Sequence, residues 1–380
     1  MKVLMQARPD IFTDKGGDTV QLLETAKALR LLGVTVEIST EFAPDLTGYD
    51  VIHLFNLKLV ESTYLQMLNA KKQGKPVALS PIYWRLTEEE QKQFTKQYIE
   101  IYGKFKAIYL QCAKDMLKNA DVLHPLISFF TRTSKVKRYQ PALFYKLRKV
   151  LGEEKMQREV LEGSDILLPN AKAEMELILR DFGVSKDYII VPNGARSYFE
   201  NGNPDHFEKK YGLRNFVLCV ARIEERKNQL YVIRALKDTG IPLVLIGKGR
   251  EPYLSRCKKE GKKGVYFLGH VEGEDLANAY AAAKVHVLAS WYETPGLSSL
   301  EAALAGCNIV ITAKGATEEY FGNYAEYCDP ASIDSIRKAI IRALSREPSD
   351  ELRNIIKTKY NWKVAAERTL QAYNAILSGR

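Results

Sequence analysis

The run Glu293-Thr-Pro-Gly-Leu-Ser-Ser-Leu-Glu301 carries two glutamates whose spacing could do chemistry. An apolar strand ends at Leu288, a loop follows, and a helix is expected to start near Leu297 or Ser298. Gly296 lets the backbone approach a ligand closely. The first N–H groups of a helix have no partner within it and form an anion site suited to a diphosphate. Glu301 falls about one turn into that helix, and Glu293 lies before the turn. Carboxylates only accept hydrogen bonds, so two of them flanking a phosphate cradle suit hydroxyls at the two ends of one ligand, ribose at one and sugar at the other. The plainer reading of the same spacing is a capped helix with two surface glutamates.

Such residues need a frame, and short apolar strands alternating with helical patterns supply one. Strands are expected at Val3–Ala7, Val34–Ser39, Val51–Phe55, Val77–Ser80, Asp165–Pro169 and Ile189–Val191, with helices at Val20–Leu32 and Ala171–Phe182. The second half repeats the scheme. Strands at Phe216–Val220, Leu243–Ile246, Val265–Leu268, Val285–Leu288 and Asn308–Ile311 are separated by helices near 228–237, 252–260, 274–283 and 298–305. Alternation of this kind predicts parallel sheets with right-handed crossovers, hence an α/β fold of two doubly wound domains. The break is expected near Asn193 to Asp205, where Asn-Gly and Asn-Pro dipeptides cluster. Ligands of such sheets bind beyond the carboxyl ends of the strands, which predicts a functional cleft between the domains.

The chain has 380 residues, enough for two cores, and its 46% apolar and 27% charged residues are ordinary for globular proteins. No stretch approaches the roughly 18–20 apolar residues of a membrane span. The N-terminus reads as a first strand rather than a signal peptide. Five scattered cysteines give neither a disulfide framework nor a zinc spacing, which points to a reducing cytoplasm. The net charge of +10 is localised: Lys92 to Lys149 holds thirteen Lys/Arg against three Asp/Glu. A basic region of this kind wants an anionic partner.

With these pieces in place, the chain resembles family 4 of the retaining GT-B glycosyltransferases, the glycosyl transferases group 1. Six landmarks in order accompany the Glu-x7-Glu motif. Val220-Ala221-Arg222 followed by Arg226-Lys227-Asn228 resembles the Arg and Lys pair that clamps the donor diphosphate. Leu245-Ile246-Gly247-Lys248-Gly249 resembles the next strand end, and Phe267-Leu268-Gly269-His270-Val271 the segment lining the base pocket. Ile190-Val191-Pro192-Asn193-Gly194 matches the end of the N-terminal domain, Gly16-Gly17 the glycine loop over the donor phosphates, and Trp362 to Leu377 the helix that crosses back.

The resemblance implies a GT-B fold of two Rossmann-like domains facing across a cleft. Residues 1–195 form the acceptor domain, with a basic helical insert at about 88–160, and residues 205–361 the donor domain; a helix at about 362–380 returns to the first. It implies a metal-independent hexosyltransferase that retains configuration and builds cell-surface polysaccharide. Arg222, Lys227 and Glu293 are the catalytic candidates. Gly16, Gly17, Gly247, Gly249, His270, Val271, Gly296, Leu297, Ser298 and Glu301 are the candidates for holding the nucleotide-sugar. Arg222 and Lys227 are expected to be exposed. No Asp-x-Asp occurs, so neither metal nor other cofactor is expected at the diphosphate. Another GT-B enzyme, such as a starch-synthase-like transferase or sugar-nucleotide epimerase, and a basic nucleic-acid-binding protein are the alternatives; the chain shows no nucleic-acid module, and no nucleic-acid partner is expected.

Two departures from the family stand out. Where members often carry a histidine near the reacting sugar, this chain reads Ser80-Pro81-Ile82-Tyr83-Trp84, leaving Tyr83, His53 and His124 as nearby candidates. The basic segment is also longer than the fold requires. Ile99, Tyr102, Phe105, Tyr109, Cys112 and Met116 recur at helical spacing, as on a core-facing helix. Arg132, Lys135, Lys137, Arg138, Lys146, Arg148 and Lys149 lie among aromatic residues. Such a mixture suits an anionic membrane surface, so the expected enzyme is cytoplasmic, peripheral at the inner face of the cell membrane, with a glycan or lipid-linked acceptor.

Overall fold

The computed structural model describes residues 1–103 and 148–379, so Arg132, Lys135, Lys137, Arg138, Lys146 and His124 lie outside the described residues, as do Phe105, Tyr109, Cys112 and Met116 of the expected stripe. The chain divides into two compact units. The first comprises Met1–Pro169, Met175–Val191 and Ala366–Arg380; the second comprises Asn170–Glu174 and Pro192–Ala365.

The first unit runs β1 (Lys2–Gln6), α1 (Gly17–Leu31), β2 (Thr35–Ser39), β3 (Val51–Phe55), α2 (Val60–Lys72), β4 (Val77–Ser80), α3 (Glu88–Tyr102), α4 (Glu153–Gly163) and β5 (Ile166–Leu167). Its sheet has the order β2-β1-β3-β4-β5, all parallel. Strands of a parallel sheet are covered on both faces and read as apolar runs, and all five residues of β3 are buried. Order reverses between β1 and β3, the switch point of this doubly wound type. The expected strand at Ile189–Val191 does not form. That segment runs beside β5 as single backbone bonds, Ile189 N–H to Leu167 O at 3.0 Å and Val191 N–H to Pro169 O at 2.9 Å, with only an isolated bridge at Tyr188.

α5 (Lys172–Phe182) lies at the changeover between the units. The second unit continues with α6 (Pro204–Tyr211), β6 (Phe216–Val220), α7 (Gln229–Ala235), β7 (Leu243–Ile246), α8 (Tyr253–Glu260), β8 (Val265–Gly269), α9 (Gly273–Ala282), β9 (Ala283–Leu288), α10 (Leu297–Leu304), β10 (Asn308–Thr312), α11 (Thr317–Phe321), β11 (Ala325–Cys328), α12 (Ile333–Ser345) and α13 (Asp350–Lys359). Local chemistry starts several of these helices. Asn203 caps α6 with Pro204 at the first helical position, and Ser332 and Ser349 cap α12 and α13. The six strands are parallel in the order β11-β10-β9-β6-β7-β8, the dinucleotide-fold order, with its switch point between β6 and β9. α14 (Trp362–Ser378) starts in this unit and from Ala366 onward belongs to the first. There Tyr373 hydrogen-bonds His53 of β3 at 2.7 Å, with both side chains buried. No described helix is long and apolar enough to cross a membrane.

Candidate active site

The second unit gathers chemistry at its switch point. Arg222 follows β6 by two residues and Glu293 follows β9 by five, and these strands are neighbours. The loops beyond them are fastened by backbone bonds. Trp291 N–H reaches Arg226 O at 2.9 Å, and Ile223 N–H reaches Lys248 O at 2.9 Å. Glu293 is bonded through both backbone groups to the loop after β10, its N–H to Lys314 O and its O to Ala316 N–H, each at 3.0 Å. Two of these close approaches demand glycine. A Cβ on Gly247 would lie 1.9 Å from Ala221 O, and one on Gly315 would lie 1.9 Å from Glu293 O.

Lys227 and Glu293 form a direct ion pair, and Arg226 Nη1 stands 3.7 Å from the same carboxylate oxygen. Arg226 also lies over the Tyr292 ring, 4.9 Å from its centroid. Burial alone would raise the pKa of Glu293, but Lys227 and Arg226 outweigh it and hold the carboxyl below the usual glutamate range. Burial and the like charge of Arg226 pull Lys227 down against the attraction of Glu293. The expectation that Lys227 is exposed is therefore corrected: its side chain is only 14% exposed, because it fills the site as the partner of Glu293. Arg222 is half-buried, at 33%, and paired with Glu224 at 3.6 Å.

α10 starts at Leu297 with Gly296 as its N-cap at φ 88°, and its intrahelical bonds begin with Ser299 N–H and Leu300 N–H to Gly296 O. The N–H groups of Leu297 and Ser298 precede those bonds, and both residues are partly exposed. One turn on, Glu301 is buried, with one oxygen held by Arg196 at 2.8 and 2.9 Å and the other 3.4 Å from Tyr280 Oη. Both glutamates are thus buried, which excludes the reading of a capped helix with two surface carboxylates. The site also includes a residue that the motif reading missed. His286 of β9 is fully buried, with Nδ1 3.2 Å from Ser299 Oγ and Nε2 accepting from Val220 N–H at 3.4 Å. That acceptor role puts the ring proton on Nδ1, so one neutral imidazole joins the start of α10 to the end of β6. Burial pushes its pKa down to about 3, and the ring stays neutral through the physiological range.

The remaining candidates are placed as follows. Gly249 pairs with Ile223 by an isolated bridge, beside Gly247. His270 and Val271 follow β8, two strands from β6; His270 is exposed and meets Glu272 at 3.2 Å. Gly16 and Gly17 belong to the first unit, at the start of α1, where Gly16 N–H donates to Thr19 Oγ1 at 3.0 Å. Asp18 occupies that helix start, held by Arg8 Nε at 2.8 Å. His53 is buried between Tyr373 and Ser80, with its pKa pushed down to about 3 by burial. Tyr83 is buried and donates to Asp181 at 2.8 Å; burial and that carboxylate raise its pKa. Neither has the character of a ready proton acceptor. Arg148, counted among the membrane-facing cations, is instead bonded to buried Glu61 at 2.6 Å and is only 21% exposed.

Residues 204–362 match the family Glycosyl transferases group 1. The O-antigen chain mannosyltransferase B of Escherichia coli is 28% identical over 59% of this chain and 64% of its own length. A GDP-mannose-dependent phosphatidylinositol monomannoside mannosyltransferase of Corynebacterium glutamicum is 22% identical over 57% of this chain and 64% of its own. The chain spans about half to two thirds of the length of the curated relatives it matches. Among solved structures, the sucrose-phosphate synthase of Thermosynechococcus elongatus superposes with a TM-score of 0.70 at 16% identity, over 100% of both chains. Anabaena HepE in complex with UDP gives 0.67 at 14% identity, over 99% of this chain and 100% of its own. At such identities these structures speak for the fold, which is GT-B, two parallel-sheet α/β units. Residues 204–362, within the second unit, are thus similar to the group 1 glycosyl transferases.

Proposed function

We propose that the chain is a retaining, metal-independent glycosyltransferase that moves a hexose-type sugar from a nucleotide-sugar to a glycan or lipid-linked glycan, in cell-surface polysaccharide synthesis. The observation that carries this reading is the cationic cradle at the β6–β9 switch point. Arg226 and Lys227 pair with buried Glu293 just before the start of α10, and Arg222 and Arg226 both stand on Glu224. A departing diphosphate gathers negative charge. Fixed cations and helix N–H groups in a water-poor site stabilise that charge without reorganising. Arg222, Lys227 and the N–H groups of Leu297 and Ser298 meet the phosphates. Glu301, aligned by Arg196, takes the ribose, and Glu293, oriented by Lys227, takes the sugar. The leaving phosphate accepts the proton of the incoming hydroxyl on the same face, so configuration is retained without a protein nucleophile. The O-antigen mannosyltransferase relative supports a polysaccharide setting, and the UDP-bound neighbour supports a nucleoside-diphosphate donor.

The enzyme works in the cytoplasm, at the inner face of the membrane. Lys149 is the exposed described residue that supports this placement. Thermal shift with UDP, GDP, ADP and dTDP sugars tests the reading, since a ligand at about 100 times its dissociation constant stabilises by about 2.7 kcal/mol. No shift with any of them, at millimolar concentration, refutes it.

A further inference from the structure

Glu224 lies between β6 and the Glu225–Lys227 turn, and its position is not explained by local structure. Its backbone oxygen accepts from Lys227 N–H at 2.9 Å and starts that turn, but its side chain makes no capping bond. The carboxylate is 9% exposed and faces three guanidinium groups: Arg222 Nε at 3.6 Å, Arg226 Nε at 3.6 Å and Arg250 Nε at 3.7 Å. Arg250 is brought there from the loop after β7 by backbone bonds, Arg250 N–H to Ile223 O at 3.0 Å and Ile223 N–H to Lys248 O at 2.9 Å. Four cations therefore converge on two carboxylates. Glu293 is committed to Lys227 and Arg226, which leaves Glu224 as the charge shared by all three arginines.

We propose that Glu224 is the resident counter-ion of the diphosphate subsite, exchanging with the nucleoside diphosphate and displacing it after transfer. The inference rests on the diphosphate reading above. Between turnovers the carboxylate holds mutually repelling guanidinium groups together. When a diphosphate enters, its oxygens take over the same cations. Ion pairs at 3.6–3.7 Å are longer than charge-assisted hydrogen bonds, so they yield to a diphosphate and re-form as it departs. Glu224 is in this sense a positioning residue: it touches the cations and sets how long the product stays. Arg250 becomes a third guanidinium of the phosphate cradle.

Stopped-flow and calorimetric binding of UDP and GDP to the full chain tests this. Wild type is measured first; if neither nucleotide nor inorganic pyrophosphate binds, the parent reading fails. Given binding, Glu224→Gln removes the competing charge. It should tighten the dissociation constant on the order of tenfold, mainly through slower release. Glu224→Asp should return towards wild type. Weaker or unchanged binding in Glu224→Gln overturns the inference, because loss of a merely structural group does not strengthen a site. Arg250→Gln, at an exposed side chain, provides a second measurement should Glu224→Gln not fold. It should weaken pyrophosphate binding on the order of tenfold, and unchanged affinity removes Arg250 from the cradle.

Discussion

Lys227→Met removes one charge from a buried pair and preserves most of the side-chain volume. Lys227 is 14% and Glu293 7% exposed at the side chain, so solvent does little to replace the lost ammonium. Breaking a buried ion pair by deleting one partner costs about 3–5 kcal/mol. Arg226 at 3.7 Å remains to hold Glu293, which places the expected loss lower, at about 2–3 kcal/mol. Urea unfolding, followed by the fluorescence of fully buried Trp291, reads this in the second unit. The pH dependence has a definite sign. Glu293 is held below the ordinary glutamate range by its cations. Its contribution is therefore present above that range and disappears as pH falls through the folded value. Weakening the depression should move acid unfolding to higher pH. In Lys227→Met/Glu293→Gln no unpaired charge is left, so stability should recover by at least half while transfer activity stays lost. A single variant as stable as wild type, or a double variant weaker than the single one, refutes the coupling.

Other consequences are equally direct. Arg222→Ala should cost about 2–4 kcal/mol of transition-state stabilisation, measured as kcat/KM, with near-normal folding because its side chain is a third exposed. Arg196→Ala strips the buried Glu301 carboxylate of its cation. It should lower stability by about 3 kcal/mol and raise the dissociation constant of the free nucleoside diphosphate, whereas Glu293→Ala should spare that affinity and reduce turnover. Gly315→Ala places a methyl 1.9 Å from Glu293 O and should destabilise the second unit in the same urea assay by at least about 2 kcal/mol. Activity should survive excess EDTA, and strict loss reversed by Mn²⁺ argues against cationic side chains as the phosphate partners.

The alternation of apolar strands with helices carries most of the architecture, because each buried parallel strand must be apolar throughout. Phe216–Val220 is apolar from end to end, and Ile309–Ile311 form the apolar middle of β10. The expected strand at Ile189–Val191 has the right composition but gains only isolated bonds beside β5, since pairing depends on the neighbour and not on propensity alone. Helix α6 had legible signals in Asn203-Pro204, yet its eight residues are too few for periodicity to show. Within the site, the Glu-x7-Glu spacing marks both carboxylates, but their burial is set by distant partners. Arg196 meets Glu301 across 105 residues and Lys227 meets Glu293 across 66. Nothing local identifies such pairs, and His286 looks like any histidine in an apolar strand until Val220 and Ser299 are placed around it.

The return of the chain at Ala366 bears on the order of events during synthesis. The second unit is made of an almost continuous stretch, Pro192–Ala365, completed by Asn170–Glu174, which leaves the ribosome before it. The first unit needs Ala366 onward, which emerges after the second unit. Until then His53, buried in the middle of its sheet, lacks the Tyr373 hydroxyl at 2.7 Å, and a buried polar group without a partner costs about 1–3 kcal/mol. Domains generally mature as they are translated. Here the half that is translated first becomes complete second, so a released chain truncated after Ala365 should hold a protease-resistant second unit and a first unit still open to cleavage.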